Sequence, residues 1–163
     1  EAFTVIGFER LFSFETSYKE IPDFWTEMRT THAPNIISGK GPKTEVEHAI
    51  MENHIGEFGV CIDDAPAPGK FRYMIAGPYQ GGKVPQGMKL YTVPAGTWAK
   101  FACVGALPNA MQSVNTKIWS EWLPGNKAYD LAGKYNIEWY SADGDPDSTE
   151  YKSAIWIPVT PKK

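Results

Sequence analysis

The chain has 163 residues, of which 42% are hydrophobic and 21% are charged, and it carries six tryptophans. This length and composition fit one ordered domain and exclude a disordered tail or a coiled coil. The net charge is −3, and no long cluster of Lys and Arg is present, which argues against nucleic-acid binding. We therefore predict a single domain over residues 1–163 that does not bind nucleic acid directly.

The cysteines and the hydropathy pattern indicate a compartment. Cys61 and Cys103 lie far apart without a CxxC motif, which is typical of free thiols in a reducing environment. No run of about 18 apolar residues is present, so we expect no membrane contact. The histidine and glycine patterns of zinc and nucleotide sites are also missing. The sequence thus predicts a soluble, cytoplasmic protein without a metal or other cofactor.

The first half of the chain reads as a strand, a helix and two further strands. Residues 3–14 are rich in β-branched and aromatic side chains, which predicts a strand. Residues 17–20 fit a capping box and Pro22 a first helical position, so a helix is expected there. Its apolar stripe consists of Ile21, Phe24, Trp25 and Met28. The remaining elements expected in this half are an irregular segment over 30–57 with a short helix near 45–53, and strands over 58–62 and 71–76.

The second half repeats this order. A helix is predicted over 108–123, ended by Pro124 and Gly125, because one face carries Leu107, Met111, Val114, Ile118 and Trp122. Strands are expected over 88–104 with a break near 94–96, over 131–141 and over 151–159.

We interpret this order as an internal duplication, with units over about 1–80 and 84–163. The sequence thus predicts an α+β fold in which duplicated strand-helix-strand-strand units form an antiparallel sheet. The helices are expected on one side of the sheet. A central cleft is expected between the two units, since pockets tend to form at such junctions.

Residues 135–140, Tyr-Asn-Ile-Glu-Trp-Tyr, place one carboxylate inside an aromatic strand. An ionised carboxylate that is buried alone is costly, so an inward-facing Glu138 needs a donor, a proton or a positive ligand. Aromatic rings suit such a ligand because their faces attract cations. Strand residues alternate between faces, however, so Glu138 and Tyr140 can also point into water while Ile137 and Trp139 cover the core. Both interpretations stay open at this point.

Five segments of the chain resemble one known family. They are VPQGM (84–88), PAGTWAKF (94–101), IWSEWLP (118–124), IEWY (137–140) and IWIPV (155–159). Their order and spacing are similar to the GyrI-like small-molecule-binding family. This family includes the effector-binding domains of multidrug-responsive AraC-type and MerR-type regulators, stand-alone proteins of the same shape, and some members with hydrolase activity.

The resemblance implies the duplicated fold and a Glu on the penultimate strand, here Glu138, that engages cationic lipophilic ligands. It also implies aromatic side chains around the cleft from the second helix and the last strand, here Trp119 and Trp156. Trp156 and Trp98 stand where Tyr is common in the family, so a hydrolytic mechanism that needs a hydroxyl at position 156 is in doubt. The other candidate ligand-binding residues are Tyr140, which shares a strand face with Glu138, and Trp25, Phe8 and Tyr91. Trp25 and Trp119 are also at helical spacing, and packing onto the sheet is an equal alternative for them.

The sequence therefore predicts a stand-alone GyrI-like protein that captures amphipathic, cationic aromatic ligands in a cleft with a central Glu. Two alternatives stay open. One is a small-molecule hydrolase with Glu138 as general base, and the other is a protein-interaction module similar to the gyrase-inhibiting relatives. The expected partner is a lipophilic or cationic small molecule, with a protein partner or a homodimer as further alternatives.

Overall fold

The chain folds into a curved antiparallel sheet with helices packed against one face. The computed structural model describes residues 2–64, 67–142 and 144–162. The strands are β1 (Phe3–Ser13), β2 (Phe58–Ile62), β3 (Lys70–Pro78), β4 (Lys89–Val93), β5 (Thr97–Val104), β6 (Tyr129–Leu131), β7 (Tyr135–Tyr140) and β8 (Lys152–Pro161). The helices are α1 (Ser17–Glu27), α2 (Pro34–Ile37), α3 (Glu45–Glu52), α4 (Asn109–Lys117) and α5 (Leu123–Gly125), with π-helical turns at Met28–His32 and Ile118–Trp122. No described helix has both the length and the apolar character that a membrane span needs.

The strand order places the seam between the two halves of the chain at the centre of the sheet. The order is β4-β1-β3-β2-β7-β8-β5, with β6 beside β8, and every strand pair is antiparallel. The predicted α+β class is confirmed. The run β1-β3-β2 on one side of the centre is matched by β5-β8-β7 on the other, as a duplication requires. The two units over about 1–80 and 84–163 stay a prediction.

The helices cover one face of the sheet in two separate apolar clusters. Under α1 and the π-helical turn that follows it, the buried side chains of Phe24 and Met28 pack with those of β1 and β3. Under α4, Met111 and the following Ile118 pack with Ile155 and other residues of β8. The apolar stripes predicted for both helices therefore face the sheet, each within its own half of the chain. The space between the two clusters is where a cavity can form.

The other face of the sheet is concave and filled with aromatic side chains. β4 and β5 lie at opposite ends of the strand order, yet residues 94–96 alone join them. At no more than about 3.6 Å per residue, this connection keeps the two edges within roughly 15 Å of each other. The sheet therefore curls, and Tyr91 of β4 and Trp98 of β5 belong to one apolar cluster. Val60 and Ile137 are completely buried there, although the cluster is made of strand residues only.

The predicted start of the first helix is wrong in its details. α1 begins at Ser17, no side-chain bond caps its N-terminus, and Pro22 lies inside the helix. A capping box occurs instead at α3, which lies where a short helix was predicted near 45–53. There Thr44 Oγ1 accepts a hydrogen bond from the Glu47 amide at 3.0 Å, and Glu47 Oε1 accepts one from the Thr44 amide at 3.2 Å. The short helix was thus predicted, but the capping box that begins it was not.

The concave cluster predicts a large difference between two isoleucine substitutions. Ile137→Ala should lower the free energy of unfolding by about 2 to 5 kcal/mol, because it opens a cavity in a completely buried site. Ile37→Ala is the matched control, because 59% of Ile37 is exposed, and it should change stability by about 0.5 kcal/mol or less. Urea denaturation of both variants measures the difference. Equal effects would contradict a packed concave face.

Candidate functional site

A cavity of about 1450 Å³ lies between α1, α4 and the central strands β2 and β7. One face of α1 supplies a wall, and the facing side of α4 supplies another. Cys61, Asn136, Glu138 and Tyr140 line the cavity from the two central strands. The helical residues that line it include Tyr18, Ile21, Pro22 and Trp25 from α1 and Met111, Gln112 and Asn115 from α4. The predicted cleft at the seam is therefore present.

The Glu138 carboxylate accepts two hydrogen bonds from phenols at the same oxygen. Tyr73 donates its hydroxyl hydrogen to Glu138 Oε1 at 2.6 Å, and Tyr140 donates to the same atom at 2.7 Å. Tyr140 is two residues further along β7 and so shares the strand face of Glu138. Tyr73 is completely buried on β3. These are short, charge-assisted bonds, which hold the carboxylate in one orientation.

A glycine makes the bond between Tyr73 and Glu138 sterically possible. β2 runs between β3 and β7, and Gly59 is the residue directly opposite Glu138. A Cβ atom at Gly59 would lie 2.3 Å from Tyr73 Oη and 2.5 Å from Glu138 Oε1. The absence of a side chain therefore leaves the space in which the hydroxyl and the carboxylate meet across an intervening strand.

The indole of Trp25 fixes the direction in which the Tyr73 hydroxyl donates. Trp25 Nε1 donates to Tyr73 Oη at 2.8 Å, so the single hydroxyl hydrogen of Tyr73 remains for Glu138. Trp25 also meets Tyr140 edge-on, with ring centroids 4.9 Å apart. One side chain of α1 thus contacts both phenols that hold the carboxylate.

Burial sets the protonation behaviour of this group. Burial raises the pKa of Glu138 above its ordinary value of 4.5, and the bonds from Tyr73 and Tyr140 lower it without cancelling that rise. Burial and the neighbouring Glu138 charge raise the pKa of both Tyr73 and Tyr140 well above the ordinary value, so both remain donors. Burial and the same charge raise the pKa of the Cys61 thiol. No described Lys, Arg or His forms an ion pair with Glu138.

Hydrogen bonds join the two helices across the cavity. Asn115 Nδ2 donates to Tyr18 Oη at 2.6 Å, and Gln112 Nε2 donates to the Tyr18 carbonyl at 2.9 Å. Asn115 Oδ1 in turn accepts from Trp119 Nε1 at 3.0 Å. Each half of the chain thus contributes one helix to the walls, and polar side chains connect them.

Four of the residues predicted from the sequence come together at the cavity. Glu138, Tyr140, Trp25 and Trp119 all line it. Trp119 is the most exposed of the four, with 41% of its surface accessible. The alternative in which Glu138 points into open water is therefore wrong, because the carboxylate lies between two phenols on the helix side of the sheet.

Four other predicted residues do not reach this cavity, and their expected grouping with Glu138 is wrong. Trp156 pairs with Ile137, the neighbour of Glu138, so its side chain lies on the concave face. Trp98 and Tyr91 belong to the same concave cluster. Phe8 is on the helix side but is buried in the core under α1, where its ring stacks on His32 at 4.5 Å. Strand alternation assigned Trp156 to a face, but the sequence did not say which face carried the cavity.

Two residues at the centre of the site were missed from the sequence. Gly59 lies on the strand that pairs with β7 and Tyr73 on the strand beyond it, so both come close to Glu138 only after the central strands have paired. The alternation in residues 70–78 could have placed Tyr73 on an inner face. The sequence gives no register between β2 and β7, so it did not reveal that Tyr73 bonds to Glu138.

The chain matches one protein-family model from residue 1 to residue 159. The model describes Cass2, the integron-associated effector binding proteins. The chain belongs to this family. The predicted GyrI-like relationship is therefore confirmed, and membership in the Cass2 family makes the chain a small-molecule effector-binding domain. A comparison with curated protein sequences found no match.

Solved structures share the fold of this Cass2 family member at low sequence identity. The structure of SAV2435 bound to tetraphenylphosphonium is 23% identical, covers 98% of this chain and 89% of its own, and has a TM-score of 0.73. An integron cassette protein from the mobile metagenome of Vibrio cholerae is 14% identical, with coverages of 98% and 92% and a TM-score of 0.66. The C-terminal domain of EcmrR is 18% identical, with coverages of 98% and 92% and a TM-score of 0.52.

The raised pKa of Glu138 predicts a pH-dependent stability difference in this Cass2 family member. The folded protein binds the Glu138 proton more tightly than the unfolded chain does. The resulting stabilisation is present below the ordinary value of 4.5 and is lost as the pH rises through the raised pKa. The free energy of unfolding of the wild type, minus that of Glu138→Gln, should therefore fall as the pH rises above 4.5. Urea denaturation at a series of pH values measures it, and a constant or rising difference would contradict the assignment.

Proposed function

We propose that this protein captures amphipathic cations with aromatic groups in the cavity, and that Glu138 supplies the counter-charge. The proposal is carried by one observation: a half-buried carboxylate lines a large cavity and, among the described residues, has phenols and no cation as its partners. A buried carboxylate without a positive partner is costly in its ionised form. A cation that enters the cavity removes this cost, so the site favours positively charged ligands over neutral or anionic ones.

The remaining polar groups of the cavity agree with this choice of ligand charge. The lining includes three further carboxylates, Glu57, Asp63 and Asp147, against the two basic side chains of Arg29 and Lys134. The balance of formal charge in the lining, Glu138 included, is therefore negative. Such a lining attracts cations and repels anions, although solvent screens the charges near the mouth.

The walls of the cavity suit a ligand with aromatic or other apolar groups. Trp25 and Tyr140 stand directly beside the carboxylate, and Trp119 lies further out on the α4 side. A well-placed ring contributes about 0.5 to 2 kcal/mol to the binding of a cation. A site that combines apolar contact with one charge discriminates weakly among ligand shapes. We therefore propose a broad specificity.

The structural comparisons support the proposal. SAV2435, which shares this fold, has been solved with tetraphenylphosphonium, a cation surrounded by four phenyl groups. Its charge is permanent, and it has no N–H group to donate. Tetraphenylphosphonium is therefore a suitable probe for this protein, since its own protonation does not change with pH.

Replacement of the carboxylate should weaken cation binding strongly. We expect Glu138→Gln to reduce the affinity for tetraphenylphosphonium by about 2 to 5 kcal/mol, because a desolvated charge pair is lost. Titration of tryptophan fluorescence measures the affinity. Glu57→Gln is the matched control, because Glu57 lines the cavity and its hydrogen bond with the Tyr140 amide is made by its backbone carbonyl, which the substitution keeps. It should cost about 1 kcal/mol or less.

Two outcomes would contradict the proposed function. One is an unchanged affinity in Glu138→Gln. The other is chemical turnover of a bound compound that the same substitution abolishes, which would favour the hydrolase alternative with Glu138 as general base. Mass spectrometry of the ligand after incubation separates an intact ligand from a product.

The affinity for tetraphenylphosphonium should also depend on pH. A cation binds the ionised carboxylate, and burial raises the pKa of Glu138 in the empty cavity. Affinity should therefore increase as the pH rises through that raised pKa, and level off above it. The Glu138→Gln variant should lack this part of the pH dependence. A wild-type affinity that does not change with pH would rule out a buried, titrating carboxylate as the counter-charge.

A further inference from the structure

We propose that Tyr73 and Tyr140 select among cationic ligands: they occupy one oxygen of Glu138, so the cavity disfavours cations that bind a carboxylate through a two-pronged N–H fork. Guanidinium and amidinium groups are such forks, whereas quaternary phosphonium and ammonium groups have no N–H. The proposal rests on the proposed function and adds to it the chemical class of the ligand.

The first step of the argument is the occupancy of Glu138 Oε1. A carboxylate oxygen has two lone pairs for hydrogen bonding. Both are taken here, by Tyr73 at 2.6 Å and by Tyr140 at 2.7 Å. Trp25 Nε1 donates to the same Tyr73 hydroxyl at 2.8 Å. Rotation of the Tyr73 hydroxyl hydrogen away from Glu138 would therefore disturb the bond from Trp25. Oε1 is thus fully used before any ligand arrives.

The second step concerns the other carboxylate oxygen. Within the described residues, Glu138 Oε2 accepts no hydrogen bond, while Oε1 accepts two. Glu138 lines the cavity, so Oε2 is the oxygen that remains available to a bound molecule. The carboxylate therefore offers one acceptor atom and not two.

The third step is the chemistry of the ligand. A guanidinium or amidinium group gains its advantage by donating two parallel N–H bonds to both oxygens of a carboxylate. Here the second bond would need a lone pair of Oε1, so the ligand would have to displace a phenol. A cation without N–H groups attracts the carboxylate through charge and ring contacts alone. It leaves both phenols in place.

The titratable groups that face the Glu138 carboxylate from β2, β3 and β7 do not offer the fork a second acceptor, so the selection concerns binding at Glu138 and not at the other carboxylates of the lining. From β2, Cys61 faces the carboxylate with a protonated thiol, and from β3 and β7 the two phenols do so. Ile155 of β8, the strand partner of Glu138, is apolar. The charged groups elsewhere in the lining are those of Glu57, Asp63, Asp147, Arg29 and Lys134, with His54 as a further titratable group.

The test compares two probes in the wild type and four variants, one of which is Glu138→Gln. The probes are tetraphenylphosphonium and 1,3-diphenylguanidinium, and the measured quantity is the ratio of their dissociation constants, so that general losses of cation affinity cancel. Tyr140→Phe and Tyr73→Phe each free a lone pair of Oε1. Each should shift the ratio in favour of the guanidinium by about tenfold, the lower end of the range for a hydrogen bond to a charged group. Tyr151→Phe is the matched control, since Tyr151 lines the cavity but donates to the Ser141 carbonyl at 2.6 Å.

The outcomes separate this inference from the proposed function. If Glu138→Gln weakens both probes but neither phenol variant shifts the ratio, the selection by phenols is wrong and cation capture stands. If Glu138→Gln weakens neither probe, cation capture itself is wrong. A crystal structure of the wild type with 1,3-diphenylguanidinium gives a readout that does not depend on the variants folding. We expect one N–H contact to Oε2 with both phenol bonds kept, and a fork on both oxygens with a displaced phenol would overturn the inference.

Discussion

The site depends on one electrostatic constraint, a half-buried carboxylate that has no positive partner among the described residues. Two phenols donate to Glu138 Oε1 and stabilise its charge only in part, since burial still raises the pKa of the carboxyl group. Such a group holds its proton more tightly in the empty cavity than beside a cation. We propose that ligand capture shifts the group towards its ionised form.

The fold brings the parts of this site together from both halves of the chain. β2 and β7 pair at the seam, where Gly59 stands opposite Glu138 and leaves room for the Tyr73 hydroxyl. α1 adds Trp25, which orients that hydroxyl. Because each helix packs within its own half, the space over the seam stays unfilled by core side chains. The cavity is thus a consequence of how the halves pair.

Sequence reasoning predicted the elements and the key carboxylate but not the full set of neighbours. The strand and helix patterns, and the Glu138 segment, depend on local spacing, which the sequence contains. The partners of Glu138 depend on strand register and on which face of a curled sheet meets the helices. Trp156 was therefore predicted to face the cavity although its side chain lies on the opposite face of the sheet, and Tyr73 was missed. Gly59 carries no side-chain signal at all, although the geometry needs it.

Proton release on ligand binding tests the central claim most directly. Isothermal titration calorimetry with tetraphenylphosphonium, in buffers of different ionisation enthalpy between about pH 5 and 7, counts the protons released per cation bound. We expect a fraction of a proton to be released by the wild type and none by Glu138→Gln. Cation binding by the wild type without any proton release across this range would contradict a carboxylate that ionises to receive its ligand.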